Sequence, residues 1–505
     1  MWLHSLTLGI LMIVSVLLLY LAAFVFFRRE QIKYALLLIL VAGGILRFYT
    51  ASDPMLHKWD ERYHALVAKN LMENPLKPML YKEPLVEYDY KSWVGNSVWL
   101  HKQPLSLWLI SSSVAVLGYD EIAVRLPSIL AGILGIFLIF GIGKRLYNEK
   151  TGLLAAFLLS INGLVLDIGS GRSTTDHVDS LFMFWVLLAV YFFVRYQDRR
   201  HSWGLILGGL ACGLAVLTKW LPALILFPIY LALVWQKRSL KTIIINLSLM
   251  FGTMILVALP WQIFASQVYP VEYAWESTYN FKHFTEGLEN HGQAWWFFID
   301  GIRIYINELI YLALIWFGVQ TIRHRKQADI GLLLWIIIPL IVFSFAATKM
   351  RGYMLISFPA YMLVIANFWL MLAEKTKTVS LQWQKILFGL LQAATLILAL
   401  RYGVERVKAF EPEVRQAAYE AKSELENLNL SPKAVVLNSP CPIEMMFYLD
   451  CIAYPMVPDV YLINRLSDLG YKLYVVERSL LPPEIREHPE VEVLRLEATT
   501  QFFSD

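Results

Sequence analysis

At 505 residues, 57% hydrophobic and only 17% charged, with a mean hydropathy of +0.52, the chain carries too little polar surface for a soluble protein of its length. Its formal net charge of +4 is small, and the basic residues fall in short clusters between apolar runs, which excludes a nucleic-acid partner. Three cysteines exclude a disulfide scaffold and a cysteine-based zinc site, leaving a polytopic α-helical membrane protein.

Apolar runs that read as spanning segments lie near 3–27, 34–49, 122–143, 152–168, 180–194, 203–217, 221–235, 242–264, 302–320, 329–346, 353–372 and 384–402, about twelve in all. Several fall short of the ~20 residues a typical bilayer requires, so their ends are soft by a few residues. The first lacks a basic leader and is followed at once by Arg28, Arg29 and Lys33, so it reads as a retained span. The clusters Arg28/Arg29/Lys33, Lys144/Arg145/Lys150, Arg195/Arg199/Arg200, Lys237/Arg238/Lys241, Arg323/Arg325/Lys326 and Lys375/Lys377 occupy alternate loops. All can be cytoplasmic if Leu105–Leu117, started by Pro104 and stopped by Gly118, lies flat at the interface. The first outer loop (50–121), the Arg172–Asp179 loop, Lys219, the 265–301 loop, Lys349, Arg351 and the C-terminal tail then share the opposite face. That distribution predicts an active site turned away from the cytoplasm.

Within the first outer loop, His57-Lys58-Trp59-Asp60-Glu61-Arg62-Tyr63-His64 places two adjacent carboxylates ahead of an apolar stripe of Ala65, Leu66, Ala68, Leu71 and Met72. The stripe predicts a helix lying on the membrane. Asp60 is either a helix cap or a functional acid, because charge at a membrane boundary is costly unless used. Pro75, Pro78 and Pro84 break the chain, and Tyr88–Trp99 has the aromatic content of headgroup depth. Lys102, directly before the flat helix, is open to two readings: a snorkelling anchor or a ligand for a substrate phosphate.

In the second outer loop, Asp176 and Asp179 share a helical face, and Thr174 or Thr175 could cap that helix. Capping does not explain Arg172, Asp176, His177 and Asp179 together at a helix mouth, which favours a functional role. Lys219 and the run Thr348-Lys349-Met350-Arg351-Gly352-Tyr353 put cations and a phenol at outer helix ends, where they suit a phosphate better than topology. The 265–301 loop carries Glu272, Glu276, His283, Glu286, Glu289 and His291, with Trp295 and Trp296 as interface anchors. Beyond Arg401 the composition changes. Residues 405–505 read as a small outer α/β domain with strands at Ala434–Asn438, Ile452–Pro455 and Tyr471–Glu477, against a transmembrane unit of 1–404. A helix over Ile443–Leu449 would hold Cys441 and Cys451 about 15 Å apart, too far for a disulfide.

Five motifs in order resemble the bacterial branch of the GT-C glycosyltransferases, the protein O-mannosyltransferase and aminoarabinose (lipid A) transferase group. They are Trp59-Asp60-Glu61-Arg62-Tyr63, His101-Lys102-Gln103-Pro104-Leu105, Val124-Arg125-Leu126-Pro127-Ser128, Leu217-Thr218-Lys219 and Thr348-Lys349 through Tyr353. The resemblance implies a GT-C fold in the inner (plasma) membrane, and inverting transfer of a sugar from a polyprenyl-phosphate donor to a lipid, glycan or protein acceptor on the extracytoplasmic face. His101 stands where aminoarabinose transferases have a glutamate, which leaves His101 and His291 as the candidate ligands for a divalent metal such as zinc. Trp220 stands where many relatives have glycine.

The chemistry assigns roles independently. A departing lipid phosphate needs cations, for which Lys102, Lys219, Lys349 and Arg351 are candidates, with Arg172 and Tyr353 as further substrate ligands. An acceptor needs a general base: Asp60 is the first choice, with Glu61, Asp176 and Asp179 the other carboxylates. The competing class is a secondary transporter or lipid-linked sugar flippase. It predicts internal repeats and mid-span ionisable groups, whereas here the charged residues sit at loop mouths.

Overall fold

The computed structural model describes residues 5–173, 177–199, 203–236, 238–478 and 481–504. Every apolar segment expected to span is helical, but the count of twelve crossings is not reached by length. Eight helices among the described residues are long and apolar enough to cross a membrane, or ten if each of two bent pairs forms one span. Glu149–Ile161 and Gly163–Gly169 meet at 54°, where the Asn162 side chain caps the second helix. Phe297–Tyr305 and Ile310–His324 meet at 109°, so the span expected from residue 302 starts at Ile310, and the preceding residues form the bend. The two remaining segments, Trp203–Lys219 and Leu221–Val234, are shorter helices. The first of these packs tightly on its neighbours: a side chain at Gly209 would fall 2.7 Å from the Met250 carbonyl.

Side-chain contacts link basic turns to one another. Lys150 pairs with Glu30 at 2.8 Å, and the Tyr147 hydroxyl donates to Asp329 at 2.6 Å, joining three of them. Pro104–Leu117 is a fourteen-residue helix, started by proline at its first turn and ended by Gly118 at φ +92°. Its Trp108 donates to the Pro75 carbonyl at 2.7 Å and meets Trp261 edge-on at 5.5 Å, holding the helix against the first outer loop and a long span.

The Gln382–Val407 helix runs through the expected boundary near residue 404 and leads to Pro412–Glu426. Beyond it, β1 (Ala434–Leu437), β2 (Cys451–Ala453), β3 (Lys472–Val476) and β4 (Val491–Leu494) form a parallel sheet in the order β2-β1-β3-β4. The central strands are buried almost throughout, as parallel strands with helical crossovers must be. The sequence reading lacks β4, a half-exposed edge strand with too few residues to declare a period. Cys441 and Cys451 are free thiols, with the Pro442–Tyr448 helix between them.

This unit is fused to the first outer loop through a shared apolar core that includes Tyr63, Leu66, Tyr81, Val435, Met445 and Ile463. Lys69 donates to the carbonyls of Met446, Phe447 and Leu449 at 2.7, 3.1 and 3.1 Å, satisfying orphan acceptors at the end of the Pro442–Tyr448 helix. The helix that carries the acidic pair is thereby clamped between the bundle and the C-terminal sheet.

Candidate active site

The acidic pair opens the Asp60–Leu71 helix. Trp59, at φ +75°, turns the chain sharply into it, a conformation that costs a bulky residue energy and marks a position fixed by its surroundings. Adjacent residues on a helix point about 100° apart, and here that separates two environments. Asp60 faces a cavity; Glu61 faces protein.

The cavity has a volume of about 430 Å³. Asp60 Oδ1 lies 4.0 Å from Lys102 Nζ, with the two side chains 14% and 20% exposed, so both reach solvent while held by neighbours. Lys219 enters from the Trp203–Lys219 helix. It pairs with the buried carboxylate of Asp179, and its Nζ sits 5.1 Å from the centre of the Tyr353 ring, a cation–π distance. Trp220, which follows Lys219, repeats the conformation of Trp59 with φ +62°. Two strained tryptophans thus flank the carboxylate and one of the two lysines. Among the candidates named from sequence, Asp60, Lys102, Lys219, Tyr353, His101 and His291 line this one cavity.

The others go elsewhere. Glu61 is 2% exposed and bonded to Arg125 (2.7 and 3.1 Å) and His57 (2.7 Å). Burial opposes its ionisation, but Arg125 and His57 outweigh it and hold its pKa well below the usual carboxylate range. Arg172 forks onto Asp53 at 2.5 and 2.9 Å and donates to the carbonyls of Arg406 and Val407, while Arg415 reaches the same Asp53 at 2.8 Å. Arg172 therefore ties the first loop to the end of the last span and does not face the cavity. Asp179 sits behind Lys219, orienting it. Lys349 is buried, with Nζ donating to the Ala346 carbonyl and its backbone N–H to the His291 carbonyl at 2.9 Å. Arg351 is exposed and outside the cavity wall. Asp176 lies outside the described residues.

The metal expectation does not fit the donor set. His101 stacks on Trp93 with ring centres 4.7 Å apart and places Nδ1 3.2 Å from Glu276. Among the described residues no group of three or more His, Cys, Asp or Glu side chains could hold a metal ion, and a catalytic zinc takes three protein ligands.

Two cavity residues went unassigned in the sequence reading. Glu289 Oε1 accepts from the Trp93 indole at 3.0 Å and the Tyr279 hydroxyl at 2.7 Å. Burial alone would raise its pKa, but the Tyr279 bond and the charges of His101 and Lys102 lower it, so the carboxylate is ionised. His283 is shifted down by burial and is neutral near pH 7. Both arrive because the 283–292 segment folds onto 347–349. Thr348 N–H donates to the His283 carbonyl at 3.0 Å and Leu288 N–H to the Thr348 hydroxyl at 2.9 Å. Loop closure of that kind leaves no periodic trace in sequence.

Comparison with known proteins follows the same lines. Residues 101–261 match the dolichyl-phosphate-mannose-protein mannosyltransferase family. The chain is 30% identical over 277 residues to an undecaprenyl phosphate-α-4-amino-4-deoxy-L-arabinose arabinosyl transferase of Pseudomonas aeruginosa, covering 51% of this chain and 47% of that protein. To the Pectobacterium carotovorum protein of the same name it is 25% identical over 413 residues, covering 76% and 68%. It spans about half the length of the Pseudomonas relatives. In three dimensions it resembles ArnT from Cupriavidus metallidurans bound to undecaprenyl phosphate, with TM-score 0.59, 15% identity, and 86% and 87% of the two chains covered. It also resembles the archaeal oligosaccharyltransferase AglB from Archaeoglobus fulgidus, with TM-score 0.55, 13% identity, and 84% and 65% covered. Sequence motifs, family match and structural neighbours agree: the chain is a multi-pass membrane protein with the GT-C fold, similar to the aminoarabinose-transferase group.

Proposed function

We propose that the protein is an integral-membrane glycosyltransferase that moves a sugar, with inversion, from a polyprenyl-phosphate donor to a lipid, glycan or protein acceptor on the extracytoplasmic face of the inner membrane. The names of its relatives point the finer reading to an undecaprenyl-phosphate donor carrying an amino-pentose. Residues 1–404 form the catalytic unit and 405–505 a soluble unit that covers it. The observation that carries the reading is the single cavity in which two carboxylates (Asp60 and Glu289), two lysines and three tryptophans (Trp59, Trp93 and Trp220) converge.

Each group has a task there. The acceptor hydroxyl attacks the anomeric carbon from the face opposite the phosphate, and Asp60 takes its proton. The bond from the anomeric carbon to the phosphate oxygen breaks, and its electron pair leaves on polyprenyl phosphate. Lys102 and Lys219 stabilise that charge where it develops. The tryptophans supply apolar faces for the sugar ring. Polyprenyl phosphate is a good leaving group and needs no second carboxyl to protonate it, so one base suffices. The test is transfer from undecaprenyl-phosphate aminoarabinose by the purified protein, with mass spectrometry of envelope glycans and lipids from cells with and without it. A wild-type protein that leaves the donor untouched, with unchanged envelopes, overturns the reading.

A further inference from the structure

A second cavity, of about 370 Å³, lies between the first outer loop and the C-terminal sheet, and the transfer scheme leaves it without a role. Its walls are fixed. Tyr81 and Tyr454 stack in parallel with ring centres 5.0 Å apart; the Tyr81 hydroxyl donates to the Ala453 carbonyl at 3.2 Å, and Tyr454 accepts from Leu85 N–H at 2.9 Å. Its rim carries Tyr88 and Val94, 42% and 44% exposed.

At one wall stands Arg62, whose partners are incomplete. Its two terminal nitrogens make only long bonds, 3.3 Å to Glu444 and 3.3 Å to the Tyr63 hydroxyl, and its buried Nε has no hydrogen-bond partner among the described residues. The Nε is out of a ligand's reach, but terminal bonds of 3.3 Å lie at the long limit for N–H···O and yield to a closer acceptor. The cavity is also next to the chemistry. Tyr63 on its wall meets Trp93 of the donor cavity edge-on at 4.9 Å, and Arg62 shares the first helical turn with Asp60.

Resting on the transferase reading, we propose that this cavity is the acceptor subsite, and that it takes a sugar ring of an acceptor glycan or glycolipid. Ring faces lie against tyrosine and proline, and a hydroxyl or acidic oxygen accepts from Arg62. The C-terminal unit thereby forms half of the acceptor site. The bound ring would sit one aromatic pair away from Asp60, so a hydroxyl of the next unit could reach the base.

The experiment uses the full-length protein in detergent with undecaprenyl-phosphate aminoarabinose as donor. The lipid extract, soluble oligosaccharides and protein fraction of envelopes from cells lacking the protein serve as separate acceptors. Tyr88→Ala and Val94→Trp change only the rim. Arg62→Gln is made together with Glu444→Gln so that no buried charge is stranded. In the lipid or oligosaccharide arm, each should raise the acceptor KM about tenfold relative to any change in donor Kd, a split that misfolding does not produce. Which arm accepts tells glycolipid from free glycan. Acceptor KM that stays at the wild-type value in all three variants, or transfer to the protein fraction alone, overturns the inference while leaving the transferase reading standing. A wild type that neither binds nor consumes the donor overturns both.

Discussion

Two charged assemblies sit within one helical turn of each other and behave as opposites. Around the cavity, Asp60 and Lys102 stand 4.0 Å apart at a solvent-reached wall. Behind it, Asp53, His57, Glu61, Arg125, Arg172 and Arg415 form a closed network of bonds mostly between 2.5 and 3.3 Å, with Arg125 also donating to the Ala51, Asp53 and Met55 carbonyls. The residue types are the same. In the network behind it each charge meets several partners at hydrogen-bond distance, which fixes the loop; at the cavity wall Asp60 and Lys102 border the space a substrate would fill. Asp60 and Glu61 are neighbours in sequence and fall on opposite sides of that divide.

The largest expected effect tests the divide directly. Asp60→Asn should lower kcat by about 10²–10⁴-fold with little change in donor affinity or melting temperature, measured by sugar transfer in liposomes. Near-normal transfer, with Asp179→Asn inactive but folded, would move the base to the second loop. Breaking the buried assembly should instead read out as stability. Arg125→Ala strands Glu61 and should cost about 3–5 kcal/mol, seen as a lowered unfolding midpoint in detergent. If Arg125→Ala melts like the wild type while losing activity, the network is part of the site and the comparison fails.

A smaller effect is expected from Lys102, one of the two lysines proposed to meet the phosphate. Lys102→Ala should lose about 1.5–3 kcal/mol of donor binding or transition-state stabilisation, while Lys349→Ala, buried off the cavity wall with its Nζ held by the Ala346 carbonyl, should leave donor affinity near the wild-type value. Equal losses would place Lys349 at the phosphate after a rearrangement.

The smallest effect is in pH. Asp53 and Glu61 are shifted down from 3.8 and 4.5, chiefly against burial by His57 and arginine. Their stabilisation is full above those values and is lost as pH falls through the depressed ones. His57 is shifted up from 6.5, because Glu61 and Asp53 outweigh burial and Arg125; its contribution is full below 6.5 and is lost as pH rises through the raised value. The melting temperature should therefore decline on both sides of a mildly acidic plateau, and His57→Gln should remove the alkaline decline alone.

What the sequence by itself determined is what local pattern controls. Hydropathy located the eight helices long and apolar enough to cross a membrane; proline and glycine bounded the Pro104–Leu117 helix; and cations at helix ends away from the basic turns singled out Lys219, which lines the cavity, together with Lys349 and Arg351, which do not. Hydropathy averages over a window, so the 109° bend before Ile310 was absorbed into one apolar segment although Asn307 and Glu308 interrupt it there. Tertiary structure alone decided which charges were consumed. Arg125 meets Glu61 from 64 positions away and Arg172 meets Asp53 from 119, and Glu289 reaches the cavity because its loop closes on Thr348. Periodicity reports the face a residue takes on its own helix. The partner waiting on that face belongs to another segment, and only packing brings the two together.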